Sequence, residues 1–220
     1  MSARENTETL DWRDGVPISR AFDDPYYSLQ DGLAETHHVF LAGNDLPARF
    51  QAGFHVAELG FGTGLNCAAT LQAWREDGAE GPLRYTSFEA FPLTPDAMAC
   101  ALAAFPALGQ AAEDVVAAVA DDGPADLHLT VVEGDARGTL SAWADRADAW
   151  FLDGFAPARN SALWAPELLN EVARHTAPGG TFATYTAAGQ VRRDLAEAGF
   201  VVERVAGYGR KRHMTRGRLA

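Results

Sequence analysis

Val56-Ala57-Glu58-Leu59-Gly60-Phe61-Gly62-Thr63-Gly64-Leu65-Asn66 is the stretch whose reading decides the fold. The apolar run from Phe54 to Leu59, interrupted only by His55 and Glu58, reads as a buried strand. It runs into three glycines at alternate positions, and a helical pattern follows at once from Leu65 through Trp74. Glycine lets the backbone turn sharply and leaves no Cβ between the chain and a ligand. The helix behind the turn offers unpaired N–H groups at its start. An ordinary strand-to-helix connection needs only a bare glycine turn. Three glycines in five residues behind an apolar strand point instead to a polar or charged group lying across the turn.

The spacing narrows that group. A dinucleotide fingerprint is G-x-G-x-x-G, its third glycine allowing close helix–strand packing. Gly60 and Gly62 fit, but Leu65 occupies the third position. The pattern present is G-x-G-x-G preceded by an acid, Glu58, and it resembles the first motif of class I S-adenosylmethionine methyltransferases. That resemblance implies that Glu58, Gly60, Phe61, Gly62, Thr63, Gly64 and Asn66 hold the methionine part of the cofactor, with the acid near its cationic end.

Outward from the turn, 220 residues suffice for one substantial α/β domain but not for two. The chain is 47% hydrophobic, so a core is available, and no run is long and apolar enough to span a membrane. Residues 1–12 are polar and acidic without an apolar signal region, which leads us to expect a cytoplasmic protein. Cys67 and Cys100 both sit in helix-like apolar settings and are expected to be buried thiols. The net charge of −12 argues against a generally basic nucleic-acid binder. The charge is unevenly spread, however. Arg192, Arg193, Arg204, Arg210, Lys211, Arg212, Arg216 and Arg218 are opposed in their segment only by Asp194, Glu197 and Glu203. A basic patch on an acidic body can hold phosphates locally, and a solvated basic terminus has the same composition.

Along the chain, 1–50 are expected to form an N-terminal extension packed on a main domain of 51–220. The extension should contain a hairpin pairing 17–19 with 26–28 around Asp23-Asp24-Pro25. A helix capped by Asp31 should run to Ala42 and end at Gly43-Asn44. From residue 53, apolar strands alternate with amphipathic helices, the pattern of a parallel sheet covered on both faces. Strands are expected at 54–59, 83–88, 127–132, 147–152 and 180–185. Helices should cover 64–75, 95–104, 113–119, 138–144, 165–175 and 188–198. An antiparallel pair, 201–206 and 212–218, should close the fold through Gly207-Tyr208-Gly209. The layout is Rossmann-like: an α/β fold with a seven-stranded sheet, a C-terminal antiparallel hairpin and a small N-terminal extension.

Ligands of an open α/β sheet bind beyond the carboxyl ends of its strands. Glu89 ends the second strand of the main sheet, about 25 residues beyond the turn, where an acid accepts hydrogen bonds from a ribose diol. Asp135 follows the next strand and is either a partner for the adenine amino group or the N-cap of a helix. Asp153-Gly154-Phe155-Ala156-Pro157 follows the strand after that. It resembles the D/N-P-P-F/Y motif of enzymes that methylate exocyclic nitrogens. An alkylammonium must lose a proton before its lone pair can attack a methyl group. A carboxylate beside it binds it, orients it and takes that proton, so Asp153 is the catalytic candidate and also adjoins the cofactor. Phe155 can stack on a planar base. Trp164 either lines the substrate mouth or anchors the following helix. No zinc spacing, nucleophile elbow or P-loop is present, and no metal is expected.

Longer blocks carry a closer resemblance: Phe22-Asp23-Asp24, Gly32 to Thr36, Phe40 to Asn44, Glu58 to Asn66, Ser87 to Leu93, Ala149 to Pro157 and Gly207 to Arg212. From about Trp12 onward the chain resembles the methyltransferase part of the bifunctional tRNA wobble-uridine enzymes of the MnmC family. The resemblance implies methyl transfer from S-adenosylmethionine to the amine of 5-aminomethyl-(2-thio)uridine, with Asp153 as acid–base residue. It implies the tRNA anticodon loop as partner, with Phe155 and Trp164 flanking the uracil and Arg159, Arg210, Lys211 and Arg212 on phosphates or at the site mouth. It also implies a monomer linked functionally to the enzyme that supplies the aminomethyl group. No second glycine fingerprint follows, so FAD is not expected here. The chain is read either as a stand-alone methyltransferase, as in MnmD, or as one domain of a longer enzyme. A class I methyltransferase acting on a small-molecule or protein amine is the alternative. A non-catalytic RNA-binding module and a nicotinamide dehydrogenase fit less well, because of Asp153 and Leu65 respectively.

Overall fold

The computed structural model describes residues 10–13, 15–27 and 31–220. The chain begins with a three-stranded antiparallel sheet of β1 (Leu10–Arg13), β2 (Val16–Ser19) and β3 (Asp24–Pro25). The expected pairing of 17–19 with 26–28 is corrected. Ile18 pairs with Pro25 and Ser19 with Asp24, and Ser28 lies outside the described residues. The turn closes early because Ser19 Oγ accepts the Phe22 N–H at 3.2 Å and Asp23 takes a left-handed backbone, φ +48°. Beyond it the Tyr26 N–H still donates to the Pro17 carbonyl at 3.1 Å, while the rings of Tyr26 and Tyr27 pack on Phe155 and Phe105. Helix α1 (Gly32–Thr36) starts where Asp31 accepts the Ala34 N–H at 2.9 Å. It continues as a π-helical turn, His37–Leu41, and a 3-10 turn, Ala42–Asn44, ending at the expected Gly43-Asn44.

The main sheet then builds by alternation: β4 (His55–Leu59), α2 (Leu65–Asp77), β5 (Leu83–Glu89), α3 (Pro95–Leu102), α4 (Gln110–Val119), β6 (Leu127–Glu133), α5 (Ala136–Thr139), β7 (Ala147–Leu152), α6 (Pro166–Arg174), β8 (Thr176–Thr184), α7 (Gly189–Glu197), β9 (Phe200–Ala206) and β10 (His213–Leu219). The strand order is β6-β5-β4-β7-β8-β10-β9. The first five are parallel, and β10 inserts antiparallel between β8 and β9. This is the expected Rossmann-like seven-stranded sheet with a terminal hairpin. Strand β8 starts four residues before the expected Gly180. A register shift against β7 between Ala147 and Ala149 accommodates the extra length.

All five residues of β4 are buried, as a parallel strand covered on both faces requires. Its alternation divides the core. Val56 packs with Phe40, Leu71, Trp74 and Phe151 on one face. Ala57 and Leu59 pack with Trp150, Leu169 and Phe182 on the other. Cys67 is buried, but Cys100 is exposed, and both are free thiols. The expectation of two buried thiols fails at Cys100 because α3 turns Met98, Ala101 and Leu102 inward instead.

The order of strand addition reverses between β4 and β7, which pair in parallel with Leu59 opposite Leu152. Their carboxyl ends therefore emerge side by side. Asp153 N–H donates to the Leu59 carbonyl at 3.1 Å, and Gly60 N–H to the Phe88 carbonyl at 2.9 Å. Gly60 has φ +90°, and a Cβ placed on it would lie 2.5 Å from the Asp153 carbonyl oxygen. Strain and clash act together at this position. Gly60→Ala is expected to lower unfolding stability by about 1–3 kcal/mol in denaturant titrations. Gly138→Ala should be neutral or slightly stabilising, since its added Cβ meets nothing within 4 Å.

Candidate active site

The carboxyl ends of the strands open into a cavity of about 950 Å³, at the upper end of the range for small-molecule sites. Its first half is built from the turn after β4 (Gly60 to Thr63), the end of β5 (Glu89 to Phe91) and Gly134 to Arg137 after β6. Its second half comes from the loop after β7 (Asp153 to Ala156), Tyr185 after β8, the β9–β10 turn (Tyr208 to Lys211) and the N-terminal segment. Asn66, in the first turn of α2, lies between the halves.

Asn66 ties the two halves together. Its Nδ2 donates to Glu58 Oε1 at 2.9 Å and to Asp153 Oδ2 at 2.6 Å, while its Oδ1 accepts from Thr36 Oγ1 at 2.8 Å. Glu58 Oε2 accepts from Ser87 Oγ at 3.0 Å. Glu58 is fully buried and lies behind the cavity wall rather than in it. Its expected direct contact with a cofactor is therefore corrected: both its oxygens are turned into the interior, and it reaches the site through Asn66. Burial, reinforced by the Asp153 charge, pushes the Glu58 carboxyl well above the usual range. Burial likewise raises Asp153 to about 7. The Asn66 hydrogen bond and Lys211 oppose the rise, and the Glu35 charge adds to it.

On the first half, Glu89 Oε2 accepts the Gly62 N–H at 3.0 Å and Oε1 accepts the Phe91 N–H at 2.8 Å. Thr63 and Phe61 line the cavity; Gly64 does not. At φ +80° Gly64 leaves room instead for Met98 and Val115, at 3.0 and 3.1 Å from where its Cβ would be. Of the two readings of Asp135, the structure shows the N-cap. It caps α5 by accepting the Arg137 N–H at 2.9 Å, and it lines the cavity. The Arg137 guanidinium beside it holds its carboxyl below the usual range.

On the second half, Phe155 lines the cavity with Phe22 stacked at 4.7 Å and Tyr26 edge-on at 5.3 Å. Trp164 is buried and does not line it; its Nε1 donates to the Phe155 carbonyl at 2.9 Å. The indole thus fastens the segment before α6 to the backbone of Phe155. Arg159 also stands outside the cavity lining, paired with Asp23 at 2.9 Å. Lys211 and Arg210 line the mouth, whereas Arg212 is exposed beyond it. Lys211 Nζ pairs with Glu35 at 2.7 Å and sits 4.0 Å from the centre of the Tyr185 ring.

Sequence reasoning assigned no role to Asp24, Glu35, Thr36 or Tyr185. Asp24 Oδ2 accepts the Ala156 N–H at 3.1 Å, so the N-terminal sheet holds the loop after β7. Tyr185 donates to the Gly154 carbonyl at 2.8 Å, and burial raises its hydroxyl pKa. Tyr185 directly follows β8, so the strand-end rule that found Asp153 applies to it too. Asp24, Glu35 and Thr36 fall in blocks that carried the resemblance, but no local pattern marks them.

A doubly wound sheet with a terminal antiparallel strand, a glycine turn at its switch point and an acid ending the next strand define an α/β enzyme for a nucleoside-bearing cofactor. Residues 108–220 match a family described as S-adenosyl-L-methionine-dependent methyltransferase, and the chain belongs to it. It is 46% identical, over 92% of its length, to the tRNA 5-methylaminomethyl-2-thiouridine biosynthesis bifunctional protein MnmC of Caulobacter sp. strain K31. It is also 46% identical, over 96% of its length, to the protein of that name from Stutzerimonas stutzeri. It covers 37% and 34% of these two proteins, so it spans about a third of the curated relatives it matches. The crystal structure of MNMC2 from Aquifex aeolicus superposes with a TM-score of 0.74 over 98% of this chain and 72% of that one, at 23% identity, and shares the fold.

The residues present fit S-adenosylmethionine. Gly60 to Thr63 line the cavity with the Glu89 carboxylate beside them, and the missing Cβ atoms of Gly60 and Gly62 make room for the Asp153 carbonyl and the Tyr26 ring that close the site around them. The raised Asp153 carboxyl has a consequence for stability. Its folded pKa of about 7 exceeds the ordinary 3.8, so its protonated form favours the fold at low pH. That contribution is full below about pH 4 and is lost as pH rises through about 7. The stability of Asp153→Asn relative to the parent should therefore rise between pH 5 and pH 8, by at most about 3 kcal/mol, in thermal denaturation across pH.

Proposed function

We propose that this chain methylates the aminomethyl nitrogen of 5-aminomethyl-(2-thio)uridine at the wobble position of tRNA, giving the 5-methylaminomethyl product. The names of its curated relatives support this reading. The observation that carries it is the place of Asp153, a partly buried carboxylate beside the glycine turn, at the junction of the two halves of the cavity.

S-adenosylmethionine, when bound, supplies an electrophilic sulfonium methyl. In this reading Gly60 to Thr63 line its path, Glu89 receives its ribose hydroxyls and Asp135 adjoins its adenine. Glu58 holds Asn66 from behind. Asp153 binds the acceptor ammonium and takes one proton from it, and a carboxyl near pH 7 is suited to that exchange at neutral pH. The nitrogen lone pair so freed would be held facing the methyl group that the sulfonium supplies. Phe155, braced by Phe22 and Trp164, offers the uracil an apolar wall. An unpaired anticodon-loop base can be splayed into such a cavity. Arg210 and Arg212 stand at or beyond its mouth as contacts for RNA phosphates. Lys211, engaged by Glu35, and Arg159, engaged by Asp23, shape the rim.

The aminomethyl group is then supplied by a separate activity, and the protein works in the cytoplasm as a monomer. Among the described residues no helix is long and apolar enough to cross a membrane. The net charge of −12 favours a second reading, a small-molecule or protein amine as acceptor. Competition by tRNA that weakens steeply with salt separates the two.

Methyl transfer from labelled S-adenosylmethionine to tRNA bearing aminomethyluridine is the direct test. Asp153→Asn should lower kcat by about 10²–10⁴-fold, and full activity of this variant would sink the assignment. Glu89→Gln should weaken S-adenosylmethionine binding about tenfold in calorimetry, with kcat near the parent value once the cofactor is saturating.

A further inference from the structure

We infer that Thr36 is a positioning residue for Asp153, acting through the side-chain amide of Asn66. The inference rests on the methyl-transfer reading, in which Asp153 must be ionised to take a proton.

The Asn66 amide has two different ends. Its nitrogen end faces two carboxylates, Glu58 at 2.9 Å and Asp153 at 2.6 Å, and its two N–H groups are divided between them. Its oxygen end faces one donor, the Thr36 hydroxyl, at 2.8 Å. Turned over, the amide would set its oxygen against both carboxylates and its N–H groups against a hydroxyl. The two carboxylates set the orientation in which Asp153 receives a hydrogen bond, and the Thr36 hydroxyl, donating to Oδ1 from the other end, fastens the amide in it. Thr36, Asn66 and Glu58 are 3%, 5% and 0% exposed, so the bulk solvent that would weaken this fastening is largely excluded. Thr36 ends α1, whose preceding residue, Glu35, holds Lys211 on the opposite wall. One helical turn outside the glycine motif thus contacts both sides of the acceptor site.

The charge on Asp153 is set by what faces it. Burial opposes ionisation first, Glu35 from α1 and Glu58 behind Asn66 add to that, and Lys211 favours the charge. Tyr185 is neutral, its hydroxyl turned to the Gly154 carbonyl. The Asn66 N–H favours the ionised form. Loosening the amide should therefore raise the pH at which Asp153 gives up its proton.

Thr36→Val keeps the shape and removes the hydroxyl; Thr36→Ser keeps the hydroxyl. The measurement is a carboxyl ¹³C NMR titration of the full chain without substrate, with the Asp153 resonance assigned by its loss in Asp153→Asn. In Thr36→Val the midpoint should move up by about one pH unit, and in Thr36→Ser it should stay at the parent value. In the methyl-transfer assay the acidic limb of kcat should shift the same way, with KM for S-adenosylmethionine within about twofold of the parent. An unchanged midpoint in Thr36→Val, or a lowered melting temperature with no shift, overturns the inference. If Thr36→Val does not fold, Thr36→Ala carries the same expectation. Failure of both to fold beside an intact Thr36→Ser assigns the hydroxyl to folding alone and also overturns it. Absence of methyl transfer to tRNA by the parent protein sinks the functional reading, while the NMR titration still decides the role of Thr36.

Discussion

The parallel pairing of β4 with β7 is the constraint on which the site depends. Leu59 faces Leu152 in that ladder, so the next residues, Gly60 and Asp153, cannot avoid each other. One must lack a side chain, and the other then stands beside the glycine turn. The methyl-donor side and the acceptor side of the proposed reaction are thus neighbours by strand register. A slip of one residue in that pairing would exchange the faces of every side chain beyond it. The burial of all five residues of β4 makes such a slip costly.

The same closeness places two carboxylates in a poorly hydrated setting. Buried charges are tolerated only when paired or hydrogen-bonded, and like charges raise each other's pKa. The structure answers with one amide. Asn66 donates to both acids, and Ser87 and Thr36 complete the chain at either end. An amide brings two donors without a positive charge, so it separates the acids without neutralising Asp153 as an ion pair would. Lys211, the nearest candidate for such neutralisation, is drawn toward Glu35 and the Tyr185 ring instead.

The alternating part of the fold was legible because periodicity and glycine placement are local properties. Strand 147–152 matched at both ends, and the strand-end rule led directly to Glu89, Asp135 and Asp153. Errors arose where tertiary contacts outweigh local pattern. Residues 24–25 form the hairpin strand, and the rings of Tyr26 and Tyr27 pack on Phe155 and Phe105. Glu58 follows its motif in sequence yet faces inward, since its strand neighbours supply the partners. Trp164 sits where a substrate wall was plausible, but its indole has a carbonyl to satisfy nine residues back. Thr36 and Glu35 had no signal because their partners lie 30 and 176 residues away.

Those long separations bear on how the protein comes to be folded. One wall of the cavity joins Gly62 to Glu89 across 27 residues, whereas the other joins Asp24 to Ala156 across 132 and Glu35 to Lys211 across 176. Closing longer loops costs more chain entropy and slows assembly. During synthesis, which proceeds from the N-terminus, the contact of the glycine turn with Glu89 has all of its residues once the segment around Phe91 is available. The opposite wall must wait until Lys211 has left the ribosome and met a helix made much earlier. The nascent chain therefore holds one side of its cavity well before it has the other.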